Sequence, residues 1–492
     1  TKVHLVFFWL KIRMKKNEYE LPSIEQARKR DKNRAAIERE LFEIPDECRN
    51  IGYGRKYYLR TYGCQANQRD SETIAGILDE LAYTASDDIN EADLILLNTC
   101  AIRKNAEDKV FGEIGALKKL KRENPDLIIA VGGCMAQEEG VVNKLLAQYP
   151  QVDLIFGTHN IYNLPKLLFE TLMAKEKVVE VFSKQGEIYE SLPTTRFLKH
   201  KAWVNIAYGC DKFCTYCIVP YTRGKERSRL VEDIVSEVRQ LVDEGYKEVC
   251  LLGQNVNAYG RDLKLENGFA TLLEEVAKTG IDRVRFMTSH PWNFDDETID
   301  VIAKYPNIMP YIHLPLQSGN DEILRRMNRR YTKEDYLKLF DKLKAKIKNC
   351  AFTTDIIVGF PNESDEAFKD TLDVVDYCKF DNAFTFIFSP REGTPAYSME
   401  DSISAEAKEE RLQILNAKVA EYALMHNKAF EGQIVEVLVD GESKRNKEVY
   451  SGYTKENKLV NFTGKNVNVG DLVNVKITKA MSFSLNGELV EE

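Results

Sequence analysis

The sequence lacks an apolar run long enough to cross a membrane. Residues 4–10 form a short apolar segment near the amino terminus, whereas a transmembrane helix needs about 20 such residues. No small-residue cleavage site of a secretory signal peptide follows this segment. In a chain without such a signal, the 10 cysteines are expected to stay reduced and to serve metal or redox chemistry. These features predict a cytoplasmic protein with no membrane partner, and we expect a monomer.

The chain also lacks the excess of positive charge that is typical of nucleic-acid-binding proteins. Its 69 Lys and Arg residues are outnumbered by 77 Asp and Glu residues, which gives a formal net charge of −8. Net charge reports the average field, so a local basic patch is compatible with this value. Methionine is missing at position 1, and Met14 followed by two lysines resembles a translation start. We therefore expect residues 1–13 to lie upstream of the native protein.

Length and pattern predict three domains after a charged extension at residues 1–54, because 492 residues exceed one hydrophobic core. Residues 55–190 alternate short apolar strands with amphipathic helices, which predicts a doubly wound parallel α/β domain. Residues 196–427 contain six further strand–helix units, which predict a partial TIM-like (β/α)6 barrel open on one side. Residues 428–492 carry short, evenly spaced strands, which predict a small β-barrel.

One set of cysteines belongs to the first α/β domain. Cys64, Cys100 and Cys134 each lie just beyond the carboxyl end of a predicted strand. In an open parallel sheet these ends share one edge, so the three thiols can converge on one point. Three separately buried thiols are the alternative, because free cysteine is often buried. The matching positions outside the apolar runs favour a three-thiolate site.

A second set, Cys210, Cys214 and Cys217, has CxxxCxxC spacing and follows the first predicted barrel strand. Three thiolates on one metal centre leave a coordination position open, which is typical of chemistry rather than scaffolding. Loops after barrel strands also lie at the catalytic face of such barrels. A zinc site completed by a distant ligand is the alternative. Cys250, inside an apolar strand, is expected to be core.

The CxxxCxxC loop resembles the radical S-adenosylmethionine superfamily. Both cysteine sets and the terminal β-barrel together resemble the methylthiotransferases of that superfamily, from about residue 57 to 488. The C-terminal barrel resembles a TRAM domain, an RNA-binding module, through residues 443–445 and 454–458. Ala66 departs from the family, which usually has methionine there, at a position that binds no metal. The other segments that carry the resemblance are residues 61–67, 98–103, 133–137, 214–224 and 354–361.

The resemblance implies two 4Fe-4S clusters and S-adenosylmethionine, which acts as radical source and methyl donor. One cluster, on Cys210, Cys214 and Cys217, would generate the radical. An auxiliary cluster, on Cys64, Cys100 and Cys134, would hold the sulfur that is transferred. These six cysteines are the predicted catalytic and metal-binding residues. Polar or turn-forming residues at the barrel rim are the expected cofactor contacts: Tyr216, Gly253, Gln254, Asn255, Ser289, His290, Gln317, Ser318 and Asp355.

The implied reaction converts N6-isopentenyladenosine next to the anticodon of tRNA into its 2-methylthio derivative. The aromatic C2–H is not acidic enough for ordinary base catalysis, so a radical is required. Tyr62 and Gln65 favour this substrate. Threonylcarbamoyladenosine in tRNA and a ribosomal-protein aspartate remain alternative substrates. An alternative from another class is a zinc-stabilised RNA-binding protein without catalysis.

The implied partners are the tRNA anticodon stem-loop, an electron donor such as flavodoxin or ferredoxin, and a source of sulfur. A loop supplies an adenine that is already unstacked. Each basic residue has the alternative of a solvated or ion-paired charge. Phe384, Phe386 and Phe388 alternate on one strand and are expected to be core rather than a base-stacking surface. The predicted phosphate contacts are Arg223, Lys225, Arg227, Arg229, Arg325, Arg326, Arg329, Arg330, Lys444, Arg445, Lys455 and Lys458.

Overall fold

The computed structural model describes residues 18–19, 39–101, 104–174, 177–181, 188–443 and 446–490. Most of the predicted charged extension, including the expected translation start at Met14, lies outside the described residues, and so do Lys444 and Arg445. Within the described ranges, no helix is long and apolar enough to cross a membrane.

The first domain is a parallel seven-stranded sheet with the order β1-β8-β7-β6-β5-β3-β4. Its central strands β5 and β6 are buried throughout, as expected for a sheet covered on both faces. Helices α1 and α4 pack on one face, and α2 and α3 pack on the other. The predicted doubly wound fold is confirmed. The strands are β1 (Glu18–Tyr19), β3 (Lys56–Thr61), β4 (Thr84–Ala85), β5 (Leu94–Thr99), β6 (Ile128–Gly133), β7 (Leu154–Phe156) and β8 (Val178–Val181), and the helices are α1 (Gln65–Glu80), α2 (Lys104–Glu123), α3 (Glu139–Gln148) and α4 (Leu164–Ala174).

The second domain has six parallel strands in two three-stranded sheets, with orders β10-β13-β14 and β15-β16-β17. In the described chain, β10 and β14 are the edge strands of one sheet, and β15 and β17 are the edge strands of the other. The six strands therefore do not close into a continuous barrel, as predicted. The strands are β10 (Lys201–Asn205), β13 (Glu248–Leu252), β14 (Arg283–Phe286), β15 (Tyr311–His313), β16 (Ala351–Val358) and β17 (Asn382–Ile387). The helices are α5 (Val219–Thr222), α6 (Val231–Asp243), α7 (Gly268–Ala277), α8 (Asp296–Lys304), α9 (Asp321–Arg326), α10 (Lys333–Lys346) and α11 (Asp365–Cys378).

Two small sheets lie outside these units. Strand β2 (Arg39–Leu41) pairs with β9 (Ile188–Glu190), and β11 (Ala207–Tyr208) pairs with β12 (Arg227–Ser228). Helix α12 (Ala405–Lys428) then packs on the outside of β17, where Leu415 and Val419 enter the barrel core.

The last domain is a closed five-stranded β-barrel, as predicted. Its own small core includes Val437, Phe462 and Leu485. Alternation along β20 and β21 points one row of side chains into this core and the other row outward. The strands are β18 (Ile434–Ser443), β19 (Asn446–Tyr453), β20 (Leu459–Thr463), β21 (Leu472–Ala480) and β22 (Leu485–Leu489).

The turn at residues 454–458 of this small barrel docks against the amino-terminal ends of the larger barrel's strands. Arg285 at β14 donates to the carbonyl oxygens of Thr454 at 2.7 Å and Lys455 at 2.9 Å. Its Nε donates to Glu248 at 2.9 Å. Lys458, predicted to contact RNA, is buried and paired with Asp381 at 2.6 Å. The turn therefore joins two domains, and RNA contact by Lys458 stays a prediction.

Replacing Arg285 with alanine is expected to detach this turn. Glu248 would remain buried without its partner, which costs about 3–5 kcal/mol when one side of a buried pair is removed. Chemical denaturation should show this loss of stability. Lys247→Ala is the matched control, because its pair with Asp282 is exposed and such pairs contribute about 0–1 kcal/mol. Equal effects of the two variants would contradict the assigned role of Arg285.

Candidate active site

The structure brings the first set of cysteines together at the carboxyl edge of the seven-stranded sheet. Cys64 lies at the start of α1, Cys100 follows β5, and Cys134 follows β6. A hydrogen bond connects Cys64 with Cys100. A Cβ atom placed on Gly63 would lie 2.9 Å from the Cys100 Sγ, so glycine is required for the two loops to approach this closely.

Two buried asparagines hold these loops in place. The Asn67 Nδ2 donates to the Thr99 carbonyl at 2.8 Å, and the Asn98 Nδ2 donates to the Asn67 carbonyl at 2.9 Å. Both side chains are fully buried. Sequence reasoning assigned neither residue a role, although each lies within three positions of a cysteine in this set. They fix the spacing between Cys64 and Cys100.

The thiols of this set differ in acidity. The hydrogen bond from Cys100, together with the Arg223 guanidinium and nearby backbone amides, lowers the pKa of Cys64 to about 5 despite its burial. Burial raises the pKa of Cys134 to about 11. Iron binds the thiolate form, so Cys64 is prepared as a ligand, whereas metal binding would have to displace the proton of Cys134.

The second set of cysteines lies in the loop at the carboxyl end of the larger barrel. Gly209, with φ of 73°, precedes Cys210, whose amide donates to the Gly224 carbonyl at 3.0 Å. The Asn328 Nδ2 donates to the Phe213 carbonyl at 3.0 Å. These two hydrogen bonds hold the cysteine loop at Cys210 and at Phe213. Burial raises the pKa of Cys217 to about 12 and holds the pKa of Cys210 well above its ordinary value.

The two sets face the same domain interface. Cys134 of the first set packs in one apolar cluster with Ile218 and Tyr221, which follow Cys217 directly along the chain. A cavity of about 940 Å³ opens beside this cluster, between α3 and the segment around Arg391. Cavities of this size accommodate nucleotide-sized ligands. Ile218 and Tyr221, which pack with Cys134, line this cavity, whereas none of the six cysteines is among its described lining residues.

Among the described residues, no three His, Cys, Asp or Glu side chains are close enough to ligate one metal ion. A cubane cluster binds each thiolate through a separate iron, so its ligands need not be as close as those of one ion. Three cysteines on loops that meet at one edge suit such a cluster.

The predicted cofactor contacts cluster at the rim of the barrel. Ser289 and Asn255 are buried, and the Ser289 Oγ and Asn255 Oδ1 have no hydrogen-bond partner in the structure. Unsatisfied buried oxygens are costly, and the polar groups of a bound cofactor would satisfy them. Burial and the nearby Arg329 and Lys212 cations hold the pKa of His290 well below its ordinary range, so its imidazole is neutral.

The remaining predicted cofactor contacts occupy varied positions. Asp355 faces the barrel interior and lies 3.3 Å from His313. Ser318 is fully buried, and its hydroxyl contacts Thr371 of α11 at 3.4 Å. Cofactor binding by Ser318 stays a prediction. Gln317 is buried at the end of the fourth strand, whereas Tyr216, Gly253 and Gln254 lie on the loops after the first and second strands.

Three protein families match successive parts of the chain: uncharacterized protein family UPF0004 at residues 56–157, the radical SAM superfamily at residues 204–375, and the TRAM domain at residues 428–490. The tRNA-2-methylthio-N(6)-dimethylallyladenosine synthases of Bacillus cytotoxicus and Geobacillus thermodenitrificans are each 58% identical to this chain. The matches cover 96% of the chain and 93% and 90% of these relatives. The chain belongs to the methylthiotransferase family of radical SAM enzymes.

Membership in the radical SAM superfamily implies S-adenosylmethionine and a 4Fe-4S cluster. Among solved structures, the radical S-adenosylmethionine methyltransferase TsrM from Kitasatospora setae is similar, with a TM-score of 0.50 and 14% identity. The match covers 70% of this chain and 75% of that protein. At this identity the likeness shows a shared fold alone.

Several residues of this methylthiotransferase that were predicted to contact RNA are instead buried. The guanidinium of Arg229 pairs with Glu190 at 2.8 Å and with Glu237 at 2.6 Å. Arg227 is buried, with its guanidinium over the Tyr208 ring. Arg223 and Arg329 are also buried, each beside one cysteine set. These four guanidinium groups are buried in the structure, so phosphate contact by any of them stays an untested prediction.

The Glu237 carboxylate lies beside three arginines at the domain interface. Arg229 and Arg196 lie 2.6 Å from its carboxylate, and Arg69 lies 3.6 Å from it. Burial alone would raise the pKa of Glu237, but these cations lower it to about 2. Because Arg69 comes from α1 and Glu237 from α6, the network locks the first domain onto the barrel.

The basic residues that stay accessible lie after the cysteine loop, after the fourth strand and on the last barrel. Arg330 and Arg325 are exposed, Lys225 and Arg326 are half-buried, and Lys455 is exposed beside Glu436. Arg330 lies over the exposed Trp292 ring, 5.3 Å from its centre. Arg330 therefore remains a predicted phosphate contact.

Phe384 and Phe386 are 42% and 37% exposed, so the expectation that they are core is wrong. They pair in register with Asp355 and Ile357 of β16. The Phe384 ring contacts His313 inside the barrel, whereas the intervening Thr385 bonds to Asn416 on the outer helix α12. Both phenylalanines therefore face the open interior of the barrel.

Arg229→Gln and Arg330→Gln are expected to distinguish a residue that stabilises the fold from a residue that binds RNA. Loss of the buried Arg229 charge should destabilise the protein by about 3–5 kcal/mol. Arg330→Gln should change stability by less than about 0.5 kcal/mol and weaken binding to a tRNA anticodon stem-loop. Denaturation curves and RNA-binding isotherms measure both effects. An Arg229 variant of unchanged stability with weakened RNA binding would contradict this structural role and support the predicted phosphate contact.

Proposed function

We propose that this chain methylthiolates C2 of N6-isopentenyladenosine next to the anticodon of tRNA. The observation that carries this proposal is the meeting of two three-cysteine sets at one domain interface. A single set would suit many radical enzymes, whereas sulfur insertion requires a radical source and a sulfur carrier at one substrate atom. The 58% identity to synthases named for this product supports the same substrate.

Two 4Fe-4S clusters and S-adenosylmethionine are the proposed cofactors. Cys210, Cys214 and Cys217 would hold the radical-generating cluster, and Cys64, Cys100 and Cys134 would hold the auxiliary one. When bound, these groups supply one-electron chemistry at a C–H bond and a transferable methylthio group. The chain itself excludes water from this chemistry, because Ile218 and Tyr221 close the interface beside Cys134.

The shape of the barrel supports an isopentenylated base. The 454–458 turn closes the amino-terminal end, so a base must enter at the rim or through the open side. There Phe384, Phe386 and Ile357 offer an apolar wall. An apolar isopentenyl group gains by burial against such a wall, whereas the charged threonylcarbamoyl group would lose its hydration.

The proposal assigns the predicted domains separate tasks. Residues 55–190 carry sulfur, residues 196–427 generate the radical, and residues 428–492 contribute RNA contacts such as Lys455. The tRNA anticodon stem-loop is the proposed macromolecular partner, with flavodoxin or ferredoxin as electron donor and a separate sulfur source. We place this monomeric enzyme in the cytoplasm.

Deletion of the gene, followed by nucleoside analysis of the host's tRNA, tests the substrate. N6-isopentenyladenosine lacking the methylthio group should accumulate, and a plasmid copy of the gene should restore the modified nucleoside. Accumulation of unmodified threonylcarbamoyladenosine would instead support the alternative tRNA substrate and contradict the proposal.

Single cysteine variants test whether one cysteine set generates the radical and the other carries the sulfur. Cys214→Ala should abolish both S-adenosylmethionine cleavage and product, whereas Cys100→Ala should retain cleavage but form no methylthiolated RNA. Anaerobic assays that quantify 5'-deoxyadenosine and modified nucleoside measure the two steps. Cys350→Ala is the control, since this half-buried thiol belongs to neither set. Catalytic product formation by Cys100→Ala would contradict the auxiliary role.

A further inference from the structure

Arg223 is part of the barrel domain in sequence. In the structure its side chain lies beside the cysteine set of the first domain. It follows the Cys210–Cys217 loop, yet its Nη2 donates to Asp70 of α1 at 2.6 Å and to the Asn67 Oδ1 at 3.4 Å. The Cys64 Sγ lies 3.5 Å from the same Asn67 Oδ1. The guanidinium is buried and interacts electrostatically with Cys134 and Cys64.

We propose that Arg223 is a positioning residue for the auxiliary centre, and that the balance between its charge and that of Asp70 sets the reduction potential there. This inference rests on the proposed function, which places a cluster on Cys64, Cys100 and Cys134. A cluster held by thiolates is anionic, and charges interact strongly at a buried site where the effective dielectric constant is low. A cation there favours the reduced cluster, and an adjacent carboxylate opposes this effect.

The second cysteine set also has a buried arginine beside it, but the hydrogen-bond partners of that arginine are different. Arg329 is buried, and its Nη1 donates to the Cys214 Sγ at 3.5 Å. Its other donors reach the Pro315 carbonyl and the Tyr331 hydroxyl, both uncharged acceptors. Arg223 instead donates its shortest hydrogen bond, at 2.6 Å, to the Asp70 carboxylate. The two centres therefore have different charge environments, which suits one centre that donates electrons and another that carries sulfur.

The Arg223–Asp70 pair also spans the domain interface, so a purely structural role has to be separated from an electrostatic one. Removing either partner of a buried pair destabilises the interface in the same direction. Their electrostatic effects on a nearby cluster have opposite signs. Arg223→Gln removes a positive charge and should lower the reduction potential, whereas Asp70→Asn removes a negative charge and should raise it.

The test uses the full-length chain carrying Cys210→Ala, Cys214→Ala and Cys217→Ala, so that the auxiliary cluster is the one proposed to remain. Each protein is reconstituted anaerobically with iron and sulfide, and its reduction potential is measured by EPR-monitored potentiometry. We expect a more negative potential for Arg223→Gln, a more positive one for Asp70→Asn, and a value near that of the parent for Arg223→Lys. Lys338→Gln, on the exposed surface of α10, should leave the potential unchanged.

The outcomes separate the inference from the proposed function. About four irons per chain in the triple-cysteine parent support the auxiliary cluster, and an iron-free parent would overturn the proposed function together with this inference. A loaded parent in which Arg223→Gln and Asp70→Asn shift the potential in the same direction, or not at all, would overturn the inference alone. If Arg223→Gln fails to bind iron, the positive shift of Asp70→Asn and the parent-like value of Arg223→Lys decide the test.

Discussion

The meeting of two cysteine-bearing edges at one buried interface is the constraint on which the rest of this structure depends. The first domain supplies its thiols from the carboxyl edge of a sheet, and the barrel supplies its thiols from the loop after its first strands. Neither edge closes the site by itself. The Glu237 network and the Arg223–Asp70 pair bring the edges together, and charges buried this deeply are stable only with their partners in place.

The arginines at and near this interface fall into three groups with different roles. Arg223 and Arg329 are buried beside cysteines, Arg229 holds domains together, and Arg330 stays accessible to RNA. The small terminal barrel follows the same division. Its 454–458 turn is committed to Arg285 and Asp381 at the far end of the larger barrel, which leaves its other surfaces for RNA.

Sequence patterns predicted elements and ligand sets because these depend on local periodicity and spacing. The six strand–helix units of residues 196–427 are present in the structure, and both cysteine sets lie after strands, as their positions in the sequence indicate. Pairing of charges was not predictable, because Arg223 and Asp70 are 153 positions apart. Likewise, alternation places Phe384 and Phe386 on one face of β17 but does not reveal that this face borders an open interior.

Two iron–sulfur centres in one chain are the central claim, and iron analysis of the anaerobically purified full-length protein tests it most directly. The account predicts about eight irons and no stoichiometric zinc per chain, falling to about four when either set of three cysteines is replaced by alanine. Zinc without iron, or a loss of all iron when one set is replaced, would contradict it.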